Sequence, residues 1–420
     1  MAIGIVSASA SIVSADVVAN HFKFVFAGPD IAGATRVPFE QTYADDKGFG
    51  FEPVTDPKSH AKTFSMKVPE ANYKVTVTLG GDAPADTTVK AETRRLMVHD
   101  LHTDAGQTVT RTFTVNVRTP AIPGGKQVKL NDREKITYTW DDKLTLEFNG
   151  NSPAVRAIEV EPAPKGITVF LAGDSTVTDQ GGEPWAGWGQ MLPLFVAPDV
   201  AVANHAESGR TLRSFRGDRR WDKVLSQLSS GDVVLIQFGH NDMKEKGDGI
   251  GPHTSYAADL KKYVAEVRER GATPVIVTSM NRRSFDDTGH VQNTFGEYID
   301  AARKVAADEE VALIDLNAMS KTLYETWGPK NSTCGFVHYP AGTFPGQTDA
   351  LKDNTHHNAY GAYELARCVV EAIRTGAVPE LSKHLAEDVK PFDPSKPDDA
   401  DQFIWPYSPP RVALAAPEGK

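Results

Sequence analysis

Ser175 occupies a position at which a hydroxyl could act as a nucleophile. It lies in the stretch VFLAGDSTV at 169–177, in which an apolar run stops at Gly173-Asp174-Ser175. A serine placed between a strand and a following helix lies near the helix amino terminus, where developing negative charge is stabilised. The same three residues also make a good turn and helix cap. The stretch alone therefore leaves two interpretations open, a nucleophile and a turn.

Three further polar blocks follow apolar runs or precede the last predicted helix. They are NHAESGR at 204–210, FGHND at 238–242 and DNTHHN at 353–358, and they contain imidazole, carboxylate and amide side chains. The carboxyl ends of parallel strands meet at one edge of a sheet. We therefore expect these three blocks and Ser175 to converge.

The elements that would position these blocks are short, continuous apolar runs that alternate with helical segments. The strand candidates are 167–172, 200–206, 232–239, 273–279 and 311–316, and the helix candidates include 256–270, 294–308 and about 358–375. Continuous apolar runs are typical of parallel strands that are buried on both faces. The pattern predicts an α/β domain with a doubly wound, parallel five-stranded sheet.

The first third of the chain has a different periodicity. Apolar and polar residues alternate at 73–79, 113–117 and 144–148, and Gly, Pro and Asp turns separate such runs. Alternation with a period of two is typical of strands with one buried face. This part predicts an all-β sandwich over 20–162, ahead of the α/β domain.

Segments rich in proline or in small residues mark the boundaries. EPAPKG at 161–166 predicts a stiff linker, followed by the α/β domain over 166–385. The proline-rich segment 386–420 predicts an extended strap against the core, with disorder preferred for its last ten residues. Residues 1–19 predict either a disordered start or the remnant of a secretory signal.

Composition and charge exclude two classes of partner. The chain has 420 residues and a formal net charge of -10, which argues against non-specific nucleic-acid binding because such binding neutralises phosphates. No run reaches the roughly 18 apolar residues that span a membrane, so we expect no membrane insertion.

Cys334 and Cys368 encode no disulfide framework. Their redox state and the oligomeric state are left open.

Together the four blocks resemble those of the SGNH (GDSL) hydrolases, a family named for the Ser, Gly, Asn and His of its blocks. The resemblance implies that Ser175 is the nucleophile, and that the amides of Ser175, Gly209 and Asn241 form the oxyanion hole. It also implies that Asp353 and His356 complete a catalytic triad, through the family's Asp-x-x-His spacing. No cofactor and no metal ion are part of this prediction.

These roles agree with the chemistry of ester hydrolysis. A serine hydroxyl is a poor nucleophile until an imidazole takes its proton, and a carboxylate must hold that imidazole in one tautomer. Asp353 and His356, three residues apart, can do both. Each preorganised hydrogen-bond donor to the oxyanion lowers the activation barrier by about 3 to 4 kcal/mol. Gly209 lets the backbone approach closely, and Asn241 supplies an uncharged N–H.

Two alternatives remain within these blocks. His357 could replace His356 as the base; the spacing favours His356 and leaves His357 as a residue that lines the site. A metal site is the second alternative, since His and Asp occur at ligand-like spacings. Its ligands would be His240, Asp242, Asp353 and His356. That site would leave Ser175 and Gly209 without a role.

A narrower resemblance covers about residues 167–375. The stretches are similar to rhamnogalacturonan acetylesterases of carbohydrate esterase family 12, and they are LAGDSTV, GWGQML, SGRTLRSF, FGHND, MNRR and DNTHHNAYGAYELA. Gly-Asp-Ser-Thr, in place of Gly-Asp-Ser-Leu, agrees with that branch and differs from the lipase-like one. Upstream, FKFVFAG and WDDKLTLEFNGNSPAVRAIEV are similar to the galactose-binding-like jelly roll found ahead of such domains. Whether that sandwich binds carbohydrate or is purely structural is left open.

Arginines follow the predicted oxyanion glycine. Five lie within eleven residues at 210–220, and Arg282 and Arg283 follow the fourth strand. An anionic pectin backbone needs a locally basic site in a chain of net charge -10, and guanidinium groups pair with carboxylates through two parallel hydrogen bonds. The expected substrate-binding residues are Trp188, Arg210, Arg213, His240, Arg282 and His357. Arg219 and Arg220 are expected on a salt-bridged helix face, with Asp218 and Asp222 as partners.

The sequence therefore predicts a serine esterase that deacetylates a pectic polysaccharide, rhamnogalacturonan I, through an acetyl-enzyme intermediate. One alternative is the same reaction on another glycan, such as xylan. Another is a non-catalytic carbohydrate-binding protein on an esterase fold. A polymeric substrate and the character of residues 1–19 favour a secreted or periplasmic location.

Overall fold

A computed structural model describes residues 21–53, 55–56, 58–411 and 416–418. The expectations for residues 1–19 and for most of the last ten residues lie outside these ranges. Within the described chain, no helix is both long and apolar enough to cross a membrane.

The N-terminal β unit, residues 21–162, consists of short strands. They are β1 (Phe22–Val25), β2 (Thr35–Arg36), β3 (Phe49–Phe51), β4 (Lys62–Lys67), β5 (Ala71–Gly80), β6 (Ala85–Ala91), β7 (Arg95–Thr103), β8 (Thr108–Val117), β9 (Ala121–Ile122), β10 (Lys126–Gln127), β11 (Lys143–Ser152) and β12 (Val155–Pro162). The three alternating runs of the sequence form β5, β8 and β11. Strands β9 and β10 make a separate two-stranded hairpin.

Two sheets of the β unit enclose one apolar core. One sheet has the antiparallel order β3-β4-β11-β6-β7, and the other has the order β8-β5-β12-β1-β2. Alternate residues such as Val75 and Val77 of β5 and Leu144 and Leu146 of β11 are fully buried in that core. The alternation in the sequence therefore corresponds to one buried face on each sheet.

The second part of the chain is built on five parallel strands. They are β13 (Ile167–Gly173), β14 (Val200–Asn204), β15 (Val233–Gln237), β16 (Thr273–Val277) and β17 (Ala312–Ile314). Their order is β17-β16-β15-β13-β14, so the chain moves to one side of β13 and then returns to the other side. An antiparallel hairpin follows, formed by β18 (Phe336–Tyr339) and β19 (Leu351–His357).

Helices cover both faces of the parallel strands. They are α1 (Trp188–Met191), α2 (Leu212–Gly217), α3 (Arg220–Gln227), α4 (Ala257–Glu269), α5 (Tyr298–Asp308), α6 (Leu316–Asn331), α7 (Ala359–Arg374) and α8 (Pro379–Ser382). Apolar residues of α1, α6 and α7 form the core on one face, and those of α2 to α5 form the core on the other. This is the doubly wound arrangement that the sequence predicts.

The two parts of the chain share one sheet. Strand β14 pairs in parallel with β8, with Ala201 opposite Thr114 and Val202 opposite Val115. The parallel strands and one sheet of the β unit therefore form a continuous ten-stranded sheet. This corrects the expected linker at 161–166, because β12 extends to Pro162 and β13 begins at Ile167, which leaves four connecting residues.

The proline-rich C-terminal segment lies against both parts of the chain. Its Phe403 ring stacks on His99 of the β unit at 4.8 Å and contacts Tyr363 of α7 at 4.9 Å, measured between ring centroids. Trp405 donates a hydrogen bond from its indole N–H to Glu183 Oε1 at 3.0 Å. The ammonium of Lys90 lies 4.1 Å from the centre of the Trp405 ring. Residues 386–411 thus form an extended strap.

Candidate active site

Ser175 lies in a tight turn directly after β13. The turn requires glycine at position 173, since a Cβ on Gly173 would lie 2.7 Å from Val177 Cγ2. The Asp174 carboxylate closes the turn, because it accepts hydrogen bonds from the Thr176 amide at 2.9 Å and the Thr176 hydroxyl at 2.8 Å. The strand order reverses at β13, and open α/β sheets hold their ligands at such a point.

The expected helix after Ser175 is not formed. Residues 174–178 make a turn, and the next helix is α1, which begins at Trp188. The Asp174 side chain accepts from the Thr176 amide and the Asp174 carbonyl accepts from the Val177 and Thr178 amides, so the chain makes one turn that does not continue as a helix. Ser175 is therefore presented by a side-chain-stabilised turn and not by a helix amino terminus.

The Ser175 hydroxyl, the His356 imidazole and the Asp353 carboxylate form a line of hydrogen bonds, which we call the catalytic line. Ser175 Oγ lies 2.8 Å from His356 Nε2, and His356 Nδ1 lies 2.9 Å from Asp353 Oδ2. All three residues are at most 2% exposed. With Nδ1–H donated to the carboxylate, Nε2 is free to take the serine proton.

Asp353 is held as an anion. Burial alone would raise its pKa, but the hydrogen bonds from the His356 ring and from the Thr355 and His356 amides lower the pKa well below its usual range. The Trp185 indole N–H lies 3.4 Å from Asp353 Oδ2. The carboxylate is thus both charged and fixed in position, as is needed to orient an imidazole.

Asp353 and His356 both lie in strand β19. In a regular strand, residues three apart point to opposite faces. The pairing of β19 with β18 is irregular, however, and its register shifts between Asp353 and His357. Such a shift is a β-bulge, which re-aims side chains. The bulge places the His356 ring between the Asp353 carboxylate and the Ser175 hydroxyl.

Gly209 and Asn241 lie in the loops after β14 and β15. Gly209 has a φ of +75°, in the left-handed region that favours glycine. Asn241 donates a hydrogen bond from its side-chain amide to the Arg210 carbonyl at 3.2 Å, which ties the two loops together. The two predicted oxyanion residues therefore lie on neighbouring loops at the carboxyl edge of the sheet.

Both loops are also tied to the Ser175 turn. The Glu207 amide donates to the Gly173 carbonyl at 3.1 Å. On the other side, His240 Nδ1 lies 3.4 Å from Asp174 Oδ2. With the bond between Ser175 and His356, the structure brings all four polar blocks of the sequence to one edge.

His240 lies beneath the site and not on its wall. Its ring is 1% exposed, pairs with Asp174 and meets the Phe295 ring edge-on, with 4.9 Å between ring centroids. Burial lowers the pKa of His240, and the Asp174 carboxylate offsets this only in part. The expectation of substrate contact is therefore wrong for His240, which instead supports the turn that carries Ser175.

His357 and Trp188 belong to the core, which corrects two further expectations. His357 Nε2 lies 2.7 Å from the Tyr324 hydroxyl, and burial lowers the pKa of His357 to about 3. Trp188 donates a hydrogen bond from its indole to Gln237 Oε1 at 2.8 Å. Both side chains are fully buried, so neither can contact substrate. The imidazole beside the serine is that of His356.

Two of the arginines expected to bind substrate take part in ion pairs. Arg210 Nε lies 2.6 Å from Asp218 Oδ2, and Arg210 Nη1 lies 3.3 Å from Glu418 Oε2. Arg213 Nε lies 2.8 Å from Asp259 Oδ2. Arg213 is thus part of an exposed pair between helices. Arg210, next in sequence to the predicted oxyanion glycine, keeps a position beside the site.

Arg282 and Arg220 differ more strongly from expectation. Arg282 donates to the His240 carbonyl at 3.2 Å and stacks 5.0 Å from the centre of the Phe295 ring, so it packs behind the site. Arg220 is fully buried and pairs with Glu134 of the β unit at 2.6 Å, instead of with a neighbour on its own helix. That partner lies far away in the sequence, so no local pattern indicates it.

Sequence reasoning did not identify Gln180 and Trp185. Gln180 donates from its side-chain amide to the Ser175 carbonyl at 2.6 Å, and Trp185 contacts Asp353. Both lie in the loop that joins Ser175 to α1. The stretch QGGEPW has no periodicity. What marks it in the sequence is its place in a long loop next to a candidate nucleophile, and such loops often carry functional residues.

The side chains of the alternative metal site have other partners. Asp242 accepts a hydrogen bond from the Leu212 amide at 2.9 Å, and burial raises its pKa to about 7. His240 faces Asp174, and His356 faces Ser175. Across residues 21–53, 55–56, 58–411 and 416–418, no three His, Cys, Asp or Glu side chains are grouped so that they could hold a metal ion.

Residues 171–361 match the model of the GDSL-like Lipase/Acylhydrolase family. The chain is 42% identical over 223 residues to rhamnogalacturonan acetylesterase RhgT of Bacillus subtilis (strain 168), covering 53% of this chain and 95% of that protein. It is 32% identical over 214 residues to probable rhamnogalacturonan acetylesterase YesY of the same organism, covering 50% and 94%. The crystal structure of YxiM from Bacillus subtilis aligns with 23% identity and a TM-score of 0.46, over 86% of this chain and 99% of that one.

The matched region contains the Ser175 turn, the Gly209 and Asn241 loops and the β19 bulge with Asp353 and His356. The identity to RhgT extends over nearly the whole of that protein. The chain is a hydrolase and belongs to the GDSL-like lipase/acylhydrolase family.

Proposed function

We propose that this protein is a serine esterase that removes acetyl groups from a pectic polysaccharide, rhamnogalacturonan I. The observation that carries the proposal is the catalytic line of Ser175, His356 and Asp353, with distances of 2.8 and 2.9 Å. The names of the relatives RhgT and YesY support a carbohydrate acetyl ester as the substrate. Since a polymer of this kind is encountered outside the cytoplasm, we also propose a secreted or periplasmic location.

The first half of the reaction forms an acetyl-enzyme. Ser175 Oγ attacks the acetyl carbonyl carbon while His356 Nε2 accepts the hydroxyl proton. The carbonyl oxygen becomes an anion, which the amides of Ser175, Gly209 and Asn241 stabilise. Collapse of this intermediate breaks the bond to the sugar oxygen, and His356 returns the proton to that oxygen as the sugar leaves.

The second half restores the serine. Water gives a proton to His356 Nε2 and attacks the acetyl carbonyl, so that acetate leaves and Ser175 regains its proton. Asp353 remains ionised throughout and stabilises the imidazolium that forms in each half. The fixed carboxylate and the tightly held turn mean that little has to reorganise during the reaction.

Acetate release is the direct test of this function. We expect the wild-type protein to release acetate from acetylated rhamnogalacturonan, and Ser175→Ala to lower kcat by a factor of about a million while the protein stays folded. Ser226→Ala is a matched control, because Ser226 lies on α3 and its hydroxyl caps only the Lys223 carbonyl. Acetate release by Ser175→Ala at the wild-type rate would contradict the proposal.

A panel of acetylated substrates separates the remaining alternatives. Faster release from acetylated xylan than from rhamnogalacturonan would keep the mechanism and change the substrate. A wild-type protein that binds these glycans but releases no acetate, and that does not react with a serine-directed phosphonate, would be a carbohydrate-binding protein. We expect release from rhamnogalacturonan to exceed release from xylan.

A further inference from the structure

The turn between β6 and β7 of the β unit holds the loop that follows Ser175 in the α/β part of the chain. That turn consists of residues 92–94. Glu92 and Arg94 have φ angles of +54° and +61°, in a region that residues other than glycine rarely adopt. Such conformations persist only where the surrounding structure imposes them, and they are frequent at functional sites. The backbone of the turn is thus a first indication of a functional role.

Arg94 reaches out of the β unit and binds the loop 178–185 at three points. Its Nη1 donates to the Gln180 carbonyl and to the Trp185 carbonyl, at 3.0 Å each. Its Nη2 lies 2.5 Å from Glu183 Oε2. Arg94 is 5% exposed, so these contacts are shielded from water. One guanidinium group therefore fixes two backbone carbonyls and one carboxylate of a loop in which the chain forms neither helix nor strand.

The neighbouring Arg95 anchors the beginning of the same loop. Its Nε lies 2.6 Å from Asp179 Oδ2, and its side chain is fully buried. The other oxygen of Asp179 accepts a hydrogen bond from the Asn204 side chain, at the end of β14, at 2.8 Å. Arg95 thus ties the loop to the sheet, whereas Arg94 binds the residues of the loop that contact the catalytic line.

The loop contacts both ends of the catalytic line. The Gln180 side chain donates to the Ser175 carbonyl at 2.6 Å and so holds the turn that carries the nucleophile. The Trp185 indole N–H lies 3.4 Å from Asp353 Oδ2, at the opposite end of the line. Arg94 binds the backbone carbonyls of these same two residues. A displacement of the Arg94 guanidinium would therefore move the supports of the serine and of the carboxylate together.

We propose that Arg94 is a positioning residue for the catalytic line, so that the β unit is part of the catalytic machinery. The inference rests on the proposed function, because it assigns Arg94 to the alignment of the groups that carry out that reaction. Arg94 acts through Gln180 and Trp185. An arginine suits this role, since its planar guanidinium presents several donors in a fixed geometry, whereas the ammonium of lysine is a point charge on a flexible stem.

Matched lysine substitutions test this role. Arg94→Lys and Arg220→Lys each keep a positive charge and remove the guanidinium from a buried pair that joins the β unit to the α/β part. Both variants should have a lower melting temperature than wild type. Only Arg94→Lys should lower kcat for acetate release, with KM unchanged, because only Arg94 contacts the loop beside the catalytic line.

The expected loss of kcat is about tenfold for Arg94→Lys and about a hundredfold for Arg94→Ala, the latter being typical of reacting groups misplaced by about 1 Å. The loss is limited, because the Gln180 carbonyl keeps a second donor, Gln190 Nε2 at 3.1 Å. Rates are compared well below the melting temperature of each variant, so that all the protein is folded. A change in stability alone then leaves kcat as in wild type.

A serine-directed phosphonate measures the alignment of Ser175 without any glycan. We expect the rate constant for phosphonylation, and kcat/KM for 4-nitrophenyl acetate, to fall in Arg94→Lys by the same factor as kcat for acetate release. Both should stay at the wild-type value in Arg220→Lys. Equal losses in the two lysine variants, or an unchanged kcat in Arg94→Lys, would overturn the positioning role.

The same measurements separate this role from the proposed function. If wild type releases acetate from acetylated rhamnogalacturonan while Arg94→Lys reacts as fast as wild type, the positioning role is wrong and the function stands. If wild type releases no acetate from the glycan but Arg94→Lys still slows phosphonylation of Ser175, the function is wrong and the positioning role stands.

Discussion

In the proposed mechanism Asp353 accepts a hydrogen bond from His356 Nδ1, so changing one of its oxygens to an amide should remove catalysis without unfolding the protein. In Asp353→Asn the amide group can donate to His356 Nδ1 and so favours the wrong tautomer. We expect kcat for acetate release to fall by about ten thousandfold. The remaining oxygen can still accept from the Thr355 and His356 amides, so the melting temperature should change little.

The control for this change is Asp349→Asn, an exposed residue just before the same strand. It should leave kcat unchanged. A loss of less than about tenfold in Asp353→Asn would mean that the carboxylate does not set the tautomer.

Asp242 should make the stability of the fold depend on pH. Burial raises its folded pKa to about 7, whereas an unfolded aspartate titrates near about 4. Between these values the folded state binds more protons than the unfolded state, so the free energy of unfolding falls as the pH rises from about 4 to about 7. The change is on the order of 1.4 kcal/mol for each pKa unit.

Asp242→Asn removes this titration while keeping an oxygen for the Leu212 amide. In urea titrations we expect the variant to be more stable than wild type at pH 8, by on the order of 2 to 4 kcal/mol, and the advantage to vanish near about pH 4. An advantage that is the same at both pH values would contradict this assignment.

The types and order of residues in the four blocks indicate Ser175 as a candidate nucleophile and His356 as a candidate base. They do not indicate which neighbouring side chains are buried. His357 is a reactive type at the right edge, yet its ring packs on Tyr324. Thr176 was interpreted as a mark of the substrate class. Its hydroxyl also stabilises the turn, because it donates to Asp174 and accepts from Gln237 at 2.8 Å each. Residue type does not reveal which way a side chain faces.

At the scale of elements, the start of α7 positions His356, the proposed base. Gly361 in its first turn meets the chain before β18 so closely that a Cβ would lie 1.9 Å from the Gly335 carbonyl oxygen. Gly361→Ala should push α7 away and destabilise the protein by about 1 to 3 kcal/mol. Because α7 directly follows β19, His356 should shift and kcat should also fall.

Gly217→Ala is the matched control, since Gly217 ends helix α2 and a Cβ there would meet no heavy atom within 4 Å. It should be neutral or slightly stabilising. Thermal unfolding and acetate release measured on both variants check the prediction. Equal stability of the two variants would mean that the close contact at Gly361 does not constrain α7.

Elements with strong periodicity were predictable. The sequence predicts a helix at about 358–375, and α7 spans Ala359–Arg374, because one stripe of small and apolar residues faces the sheet. The β18–β19 hairpin was missed since its residues show no alternation. Its bulge depends on pairing between segments that the sequence does not mark as partners.

At the scale of the molecule, the strap should contribute to the stability of the whole chain. Trp405 covers the fully buried Lys90 of the β unit and donates to Glu183 of the α/β part. Trp405→Ala should lower the free energy of unfolding by about 2 kcal/mol, through lost packing and weaker pairing of those charges. Ile404→Ala, at an exposed neighbour, should change it by less than about 0.5 kcal/mol. Denaturant titration distinguishes the two.

The division into two parts was predicted, whereas their union in one sheet was not. The periodicity of apolar residues indicates which face of a strand is buried but not which strand it pairs with. The local sequence pattern therefore does not indicate the pairing of β8 with β14. The buried pair of Arg220 and Glu134 crosses the same boundary. These contacts are specified by the three-dimensional arrangement of segments that lie far apart in the chain.

The continuous sheet also sets the order of events during synthesis. The β unit leaves the ribosome first, and the edge of β8 at Thr114 and Val115 has no partner until β14, Val200–Asn204, has emerged. An open strand edge is a template for pairing with another chain. Nascent chains that stall between about residues 162 and 204 should therefore be the forms most prone to associate, and a chaperone that recognises extended edges would act in that interval.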